Sequence, residues 1–217
     1  MEYVYAPGCA LTLYKPHLAE KMHAMLNENL GEMARLDTCC RNHPTLPKGT
    51  CVINTCPGCD RRYRSYYKES TTKSVWEVIA ESDWFRFPDY HGARMSIQDA
   101  CPTRSQARVH KAIRTLLKKM NIEVVEPKRT GTNTICCGDA LYPALPVAEV
   151  EESMRRRAAE MPEEDVAVYC VSCIKAMAIG GRRPRYMVDM LFGEETEPRV
   201  TDTVEWHVQV DEFARTH

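Results

Sequence analysis

No apolar run in the sequence approaches the ~18 residues that a membrane-spanning helix needs. A charge excess is missing too. The 29 basic and 30 acidic side chains leave a formal net charge of -1, which argues against a broad nucleic-acid surface or a polybasic membrane surface. The opening residues Met1-Glu2-Tyr3-Val4-Tyr5 form neither a charged n-region nor an apolar h-region, so no export signal is expected. There is no Ser-His-Asp or HExxH arrangement, so hydrolysis has little support. No GxGxxG or P-loop follows a strand-like run, so flavin or nicotinamide chemistry is expected to belong to a partner. The seven histidines show no metal spacing. What remains is a globular composition, 44% hydrophobic and 27% charged over 217 residues, long enough for one domain or two small ones.

Cysteine is the exception, with eleven copies. A secreted disulfide framework fits poorly, because the chain is long and the cysteine count is odd. A reducing cytoplasm fits better, and there clustered cysteines bind metal or do chemistry.

Ten of the cysteines repeat one grammar: a single Cys, a Cys-Cys pair, then Cys-x-x-Cys. The first set is Cys9, Cys39, Cys40, Cys56 and Cys59, and the second is Cys101, Cys136, Cys137, Cys170 and Cys173. The leading gaps are 30 and 35 residues. Apolar helical spacing follows each single cysteine: Leu18, Met22, Met25 and Leu26 in the first half, and Val109, Ala112, Ile113, Leu116, Leu117 and Met120 in the second. Thr103 and Gln106 read as a capping box for the second of these helices. Val75-Trp76-Glu77-Val78-Ile79 echoes Met187-Val188-Asp189-Met190-Leu191. The chain therefore reads as tandem repeats over residues 1–88 and 89–195, with a C-terminal tail over 196–217.

The halves also differ. Cys40 to Cys56 spans 16 residues, whereas Cys137 to Cys170 spans 33. The second half has an extra helical stretch from Val147 to Met161, and Gly138 follows its Cys-Cys pair where Arg41 follows the first. A glycine there fits a positive φ that a bulkier residue adopts at greater cost. The shortened segment, without a covering helix, is expected to leave the first site more open.

Short β-rich runs end just before the cysteine groups: Tyr3–Tyr5, Val52-Ile53, Met95–Ile97, Thr134-Ile135 and Val166–Tyr169. Strands alternating with helices predict an α/β fold of two tandem pseudo-symmetric halves, each a small parallel sheet with helices. The cysteines of a half then converge beyond the carboxyl ends of its strands, where open α/β sheets bind ligands. One metal site per half is expected. Four thiolates satisfy tetrahedral zinc or a cubane [4Fe–4S] cluster. Five exceed both, and only a five-thiolate iron–sulfur cluster uses every cysteine, although zinc could be held by four of them.

The second set, with its Cys136-Cys137-Gly138 core, and its partial copy in the first half resemble the cysteine-rich CCG domain family, typified by the cysteine-rich component of heterodisulfide reductase. Relatives include the iron–sulfur subunits of glycolate and lactate oxidation systems. The resemblance implies a noncubane [4Fe–4S] cluster held by five cysteines, one or two per chain, with zinc as an occupant of the first half in some members. It implies that a small disulfide is cleaved, or a thiol handled, between two facing clusters. Electrons would come from a ferredoxin-like iron–sulfur subunit and a flavoprotein. A non-catalytic electron-transfer subunit and a zinc-stabilised interaction module are the alternatives.

Smaller signals complete the reading. Arg61, Arg62 and Arg64 follow the first Cys-x-x-Cys, and Arg182, Arg183 and Arg185 follow the second. They read as solvated faces, or more sharply as an anion-binding or docking patch. Arg155-Arg156-Arg157 reads as an exposed helix face. Lys175 and Asp139 flank the second set and could tune it or move protons. His43 reads as a surface residue near the first pair, and Cys51 as a buried small hydrophobe. Trp76 is expected to anchor the first half's last helix. Glu205 to Val210 alternates like a strand.

Overall fold

The structure, a computed structural model, describes residues 2–217. The chain divides into two compact units, Met1–Phe85 with His207–His217, and Arg86–Trp206. In the first unit, β1 (Tyr3–Ala6) leads into α1 (Cys9–Tyr14) and α2 (Pro16–Leu30), followed by β2 (Ala34–Arg35), β3 (Cys51–Asn54), α3 (Pro57–Tyr66), β4 (Thr71–Ser74) and α4 (Val75–Glu81). The second unit runs β5 (Ala93–Gln98), α5 (Ala107–Lys119), β6 (Ile122–Val124), α6 (Val147–Ala159), β7 (Asp165–Val168), α7 (Val171–Ile179), β8 (Arg183–Tyr186) and α8 (Met187–Leu191). The unit boundary falls inside the last helix, α9 (Thr203–Thr216).

Each unit holds a four-stranded, all-parallel sheet. The orders are β2-β1-β3-β4 and β6-β5-β7-β8, the same permutation twice. Strands covered on both faces should be apolar without alternation. All four residues of β3 are buried, as are Val166, Ala167 and Val168 of β7. Val4 pairs with Val52 in the first sheet and Ile97 with Ala167 in the second. On α5, the expected stripe of Val109, Ile113, Leu116 and Leu117 is buried, the one-faced spacing of a helix packed on a core. The echoing segments form α4 and α8, each starting directly after the fourth strand of its sheet. Trp76 is fully buried in α4, as expected.

Several local expectations are corrected. Thr103 and Gln106 form no capping box, because α5 starts at Ala107 without a side-chain cap. The Thr103 hydroxyl is instead taken up in the core by Ala100 O, His110 Nε2 and Tyr169 Oη. A capping box does form at α4, where Ser74 N donates to Glu77 Oε2 at 3.1 Å and Trp76 N donates to Ser74 Oγ at 3.4 Å. Thr134-Ile135 is no strand; it is irregular chain after a 3₁₀ turn at Gly131–Asn133. Residues 205–210 are helical within α9. Trp206, Val210 and Ala214 bury one stripe at helical spacing, while Val204 and Val208 stay exposed. Exposed Val208, between buried Trp206 and Val210, produced the apparent alternation.

Candidate metal centre

The cysteine groups lie where parallel strands end and helices begin. Cys9 opens α1 after β1, and Cys56 caps α3 after β3 with Cys59 in its first turn. Cys101 follows β5, and Cys170 caps α7 after β7 with Cys173 in its first turn. The Cys-Cys pairs sit on irregular chain beside short 3₁₀ turns at Cys40–Asn42 and Asp139–Leu141. Free N–H groups at a helix start stabilise a nearby thiolate. Cys56 shows this effect. Its thiol is lowered to about 7 by the Cys59 side chain and, against burial, by the Cys59 and Gly58 backbone N–H groups.

The sulfurs of each unit make one unbroken line of contacts. In the first unit neighbouring thiols act on one another in sequence: Cys9 with Cys39, Cys39 with Cys40, Cys40 with Cys59 and Cys59 with Cys56. In the second the same holds for Cys101 with Cys136, Cys136 with Cys137, Cys137 with Cys173 and Cys173 with Cys170. The order is the same in both. Cys39 is pulled down by bonds from Cys40 and Cys9, and Cys136 by bonds from Cys101 and Cys137. Gly138 N adds a bond to Cys136 Sγ at 3.3 Å. Cys9 and Cys101, the donors to that thiolate, are pushed up. Five adjacent thiolates repel one another, so the set fully ionises only around positive charge. The donors present therefore fit a thiophilic metal group. Among the described residues, no three or more His, Cys, Asp or Glu are spaced to hold a single metal ion.

Glycines shape both sites. Gly8 has φ +80, and a Cβ there would lie 2.8 Å from Cys56 Cβ and 3.3 Å from Cys59 Sγ. Gly138 has φ +111, and a Cβ there would lie 2.8 Å from Met154 Cγ and 2.9 Å from Met154 N of α6. Glycine at 138 is thus required both by conformation and by the helix pressed against it.

The first unit has no helix in that place. Arg41 sits in the 3₁₀ turn, and the left-handed residue is His43 at φ 50. The site is nevertheless covered, which corrects the expectation that the short segment leaves it open. Asp211 pairs with Arg41, Asn42 Nδ2 donates to Ala214 O, and Cys39 N donates to His217 O at 3.1 Å. Phe213 lines a small cavity with Cys9, Cys39, Cys40 and Cys59. Residues 207–217, expected to be a tail outside the repeat, thus do here what α6 does in the second unit.

The remaining candidates sort by contact. Lys175 and Asp139 form a buried ion pair at 2.6 Å beside the second set. Arg157 is only 1% exposed, which corrects its reading as part of a solvated face. It donates to Gln98 Oε1, Glu160 Oε2 and Arg129 O. Arg62 donates to Cys40 O at 2.9 Å and Arg64 pairs with Asp60 at 2.8 Å. Arg182 donates to Ala158 O and Arg183 pairs with Asp165. These partners make most of the two arginine groups structural. Exposed His43 packs edge-on against Tyr66 rather than joining the sulfurs. Cys51 is buried in β3, apart from either set. The carboxylate missed by the sequence analysis is Asp99, wholly buried just after β5; an acidic residue between a β-rich run and Cys101 was the available signal.

Residues 95–177 match the family model of the cysteine-rich domain CCG. The matched stretch contains all five cysteines of the second set, and this similarity supports a metal-binding or iron–sulfur role. No curated protein matches the chain. Among solved structures, the chain is similar to Picrophilus torridus aspartate racemase, at 10% identity and a TM-score of 0.33, covering 97% of this chain and 100% of that one. Among the described residues, no helix is long and apolar enough to cross a membrane.

Proposed function

We propose that this chain is an iron–sulfur redox protein of the heterodisulfide reductase type, acting within a larger electron-transfer complex. Cys9, Cys39, Cys40, Cys56 and Cys59 would hold one metal group, and Cys101, Cys136, Cys137, Cys170 and Cys173 the other. The observation that carries this reading is the repeated sulfur order, five thiols in one line of contacts in each unit. Four thiolates complete tetrahedral zinc or a cubane cluster. A fifth in the same line favours a noncubane [4Fe–4S] group. When bound, that group supplies electrons and an iron able to accept a thiolate.

The chain's own residues hold and shield it. Gly8 and Gly138 admit the close approach of neighbouring elements, and the Lys175–Asp139 pair places fixed charge beside the second set. The proposed net reaction is R–S–S–R′ plus two electrons and two protons giving RSH and R′SH. The electrons would arrive from a ferredoxin-like iron–sulfur subunit and a flavoprotein.

The test is iron, zinc and acid-labile sulfide per chain after anaerobic purification, read beside an EPR spectrum. About eight irons and eight sulfides are expected, falling to about four of each in Cys137→Ala. About four irons with one zinc would put zinc on one set, and the departures at Arg41 favour the first. Zinc without sulfide would overturn the reading and leave an interaction module. A reduced cluster that no disulfide reoxidises would leave an electron-transfer subunit.

A further inference from the structure

We infer that Asp99 is the positioning residue of the second cysteine set, holding its three cysteine-bearing segments in register before any metal arrives. The inference builds on the cluster reading above, but the register it describes belongs to the metal-free protein. Asp99 lies two residues before Cys101 and is 0% exposed. Its carboxylate draws donors from outside its own strand. Arg114 donates from Nη1 at 2.6 Å and from Nη2 at 2.7 Å, which balances the buried charge. Gly131 N donates at 2.7 Å, and Tyr169 Oη donates at 3.0 Å. The Asp99 carbonyl accepts from Thr134 Oγ1 at 2.9 Å.

Each bond from Gly131, Thr134 and Tyr169 reaches a segment that delivers cysteines. Gly131 and Thr134 lead into Cys136-Cys137, and Tyr169 directly precedes Cys170. Asp99 itself leads into Cys101. One carboxylate therefore ties all three groups together, and charge-assisted bonds are the strong ones available for such a tie. The segment of Gly131 and Thr134 lacks strand pairing, so side-chain bonds carry its placement: those to Asp99, with Arg104 Nε donating to Thr134 O at 2.7 Å and Gln98 Nε2 to Ile135 O at 3.1 Å beside them.

Among the described residues, the first unit has no counterpart. By the repeat, Pro7 stands where Asp99 stands and Thr55 where Tyr169 stands, and Thr55 Oγ1 pairs with Tyr5 Oη at 3.0 Å. Its cysteine pair is held instead by residues 207–217, through Arg41, Asn42 and Cys39 N.

The experiment compares Asp99→Asn with its parent, in a chain where Cys39→Ala and Cys40→Ala silence the first set. The asparagine keeps the size but turns an amide NH₂ toward donors. In metal-free protein, amide exchange at 131–137 and 169–173 is expected to quicken about tenfold or more, while α5 stays protected. After iron and sulfide loading, the EPR signal of the remaining cluster is expected to shift in g-values or broaden. Unchanged exchange overturns the inference. So does uniformly faster exchange across the unit, or a local change that leaves the cluster signal unaltered, since each reduces Asp99 to a general stabiliser. If the parent takes up no iron or sulfide, the cluster reading fails at this set and the exchange pattern alone decides on Asp99. If Asp99→Asn does not fold, Tyr169→Phe removes one donor and is expected to quicken exchange at 169–173 only.

Discussion

Replacing Gly138 with alanine tests the tightest contact of the second site. The new Cβ must occupy a backbone at φ +111, which costs about 1–3 kcal/mol for a side-chain-bearing residue. It must also fit 2.8 Å from Met154 Cγ, 2.9 Å from Met154 N and 3.2 Å from Val150 O. Met154 Cγ can swing aside, but the two backbone atoms move only with α6. Overpacking of that kind costs about 1–3 kcal/mol. Together the terms give about 2–6 kcal/mol, a large share of the ~5–15 kcal/mol that holds a domain together. Arg41→Gly is the control in the first unit. It removes an exposed pair with Asp211, whose side chains are 48% and 64% exposed, for which about 0–1 kcal/mol is expected. Urea unfolding of both metal-free variants, followed by fluorescence and far-UV circular dichroism, measures the contrast. A Gly138→Ala protein within about 1 kcal/mol of its parent, or one no less stable than Arg41→Gly, would refute the packing argument.

Other outcomes follow from single side chains. Arg157→Met leaves Gln98, Glu160 and Arg129 without their shared donor in a buried place, so denaturant titration should show a loss of about 2–4 kcal/mol; an equally stable variant would mean that the network contributes nothing net. Burial holds the His110 imidazole below its usual value of 6.5, with Arg114 adding to the effect and Asp99 opposing it. The unfolded chain then binds the extra proton first, so stability is full above pH 6.5 and declines as pH falls below it. His110→Gln should flatten that slope in urea midpoints measured from about pH 5 to 7.5, and an unchanged slope would assign it to other groups. Phe213→Ala should speed alkylation of the first set in metal-free protein and leave the second set unchanged, with mass mapping as the readout; equal rates at Cys39 and Cys40 in variant and parent would mean that residues 207–217 do not shield them.

Much of the architecture was legible because it was written twice. The cysteine grammar located both repeats, and short β-rich runs before the cysteine groups marked β1, β3, β5 and β7. The short outer strands were not legible. β2 has two residues, and β8 reads Arg-Pro-Arg-Tyr, so neither carries an apolar signature. Their place comes from pairing with a neighbour already formed, which is a tertiary cause. Arg157 misled for a related reason. Three consecutive arginines on a helix read as solvated, but a 3.6-residue period turns one of them inward, and Gln98 and Arg129 O from distant segments, together with nearby Glu160, make that tolerable. The role of residues 207–217 was invisible because nothing in α9 repeats a motif; its partners Arg41 and Asn42 lie at the other end of the sequence.

The two covers differ in how far along the chain each must reach. Gly138 and Met154, which meet in the second unit, are 16 residues apart. Arg41 and Asp211 are separated by 170 residues, and Asn42 and Ala214 by 172. Closing the longer loop costs about 2 kcal/mol more chain entropy, from the (3/2)RT ln n scaling. The longer closure also belongs to the slow, high-contact-order part of folding. A nascent chain therefore displays all five thiols of its first set, already translated and uncovered, while the residues that will shield them are still being made. The second set has its helix, α6 at Val147–Ala159, already translated before Cys170 and Cys173 complete it. Exposure to the thiols' surroundings is thus unequal in time, and the first set stays open to metal donors and oxidants until synthesis has delivered Asp211 to His217.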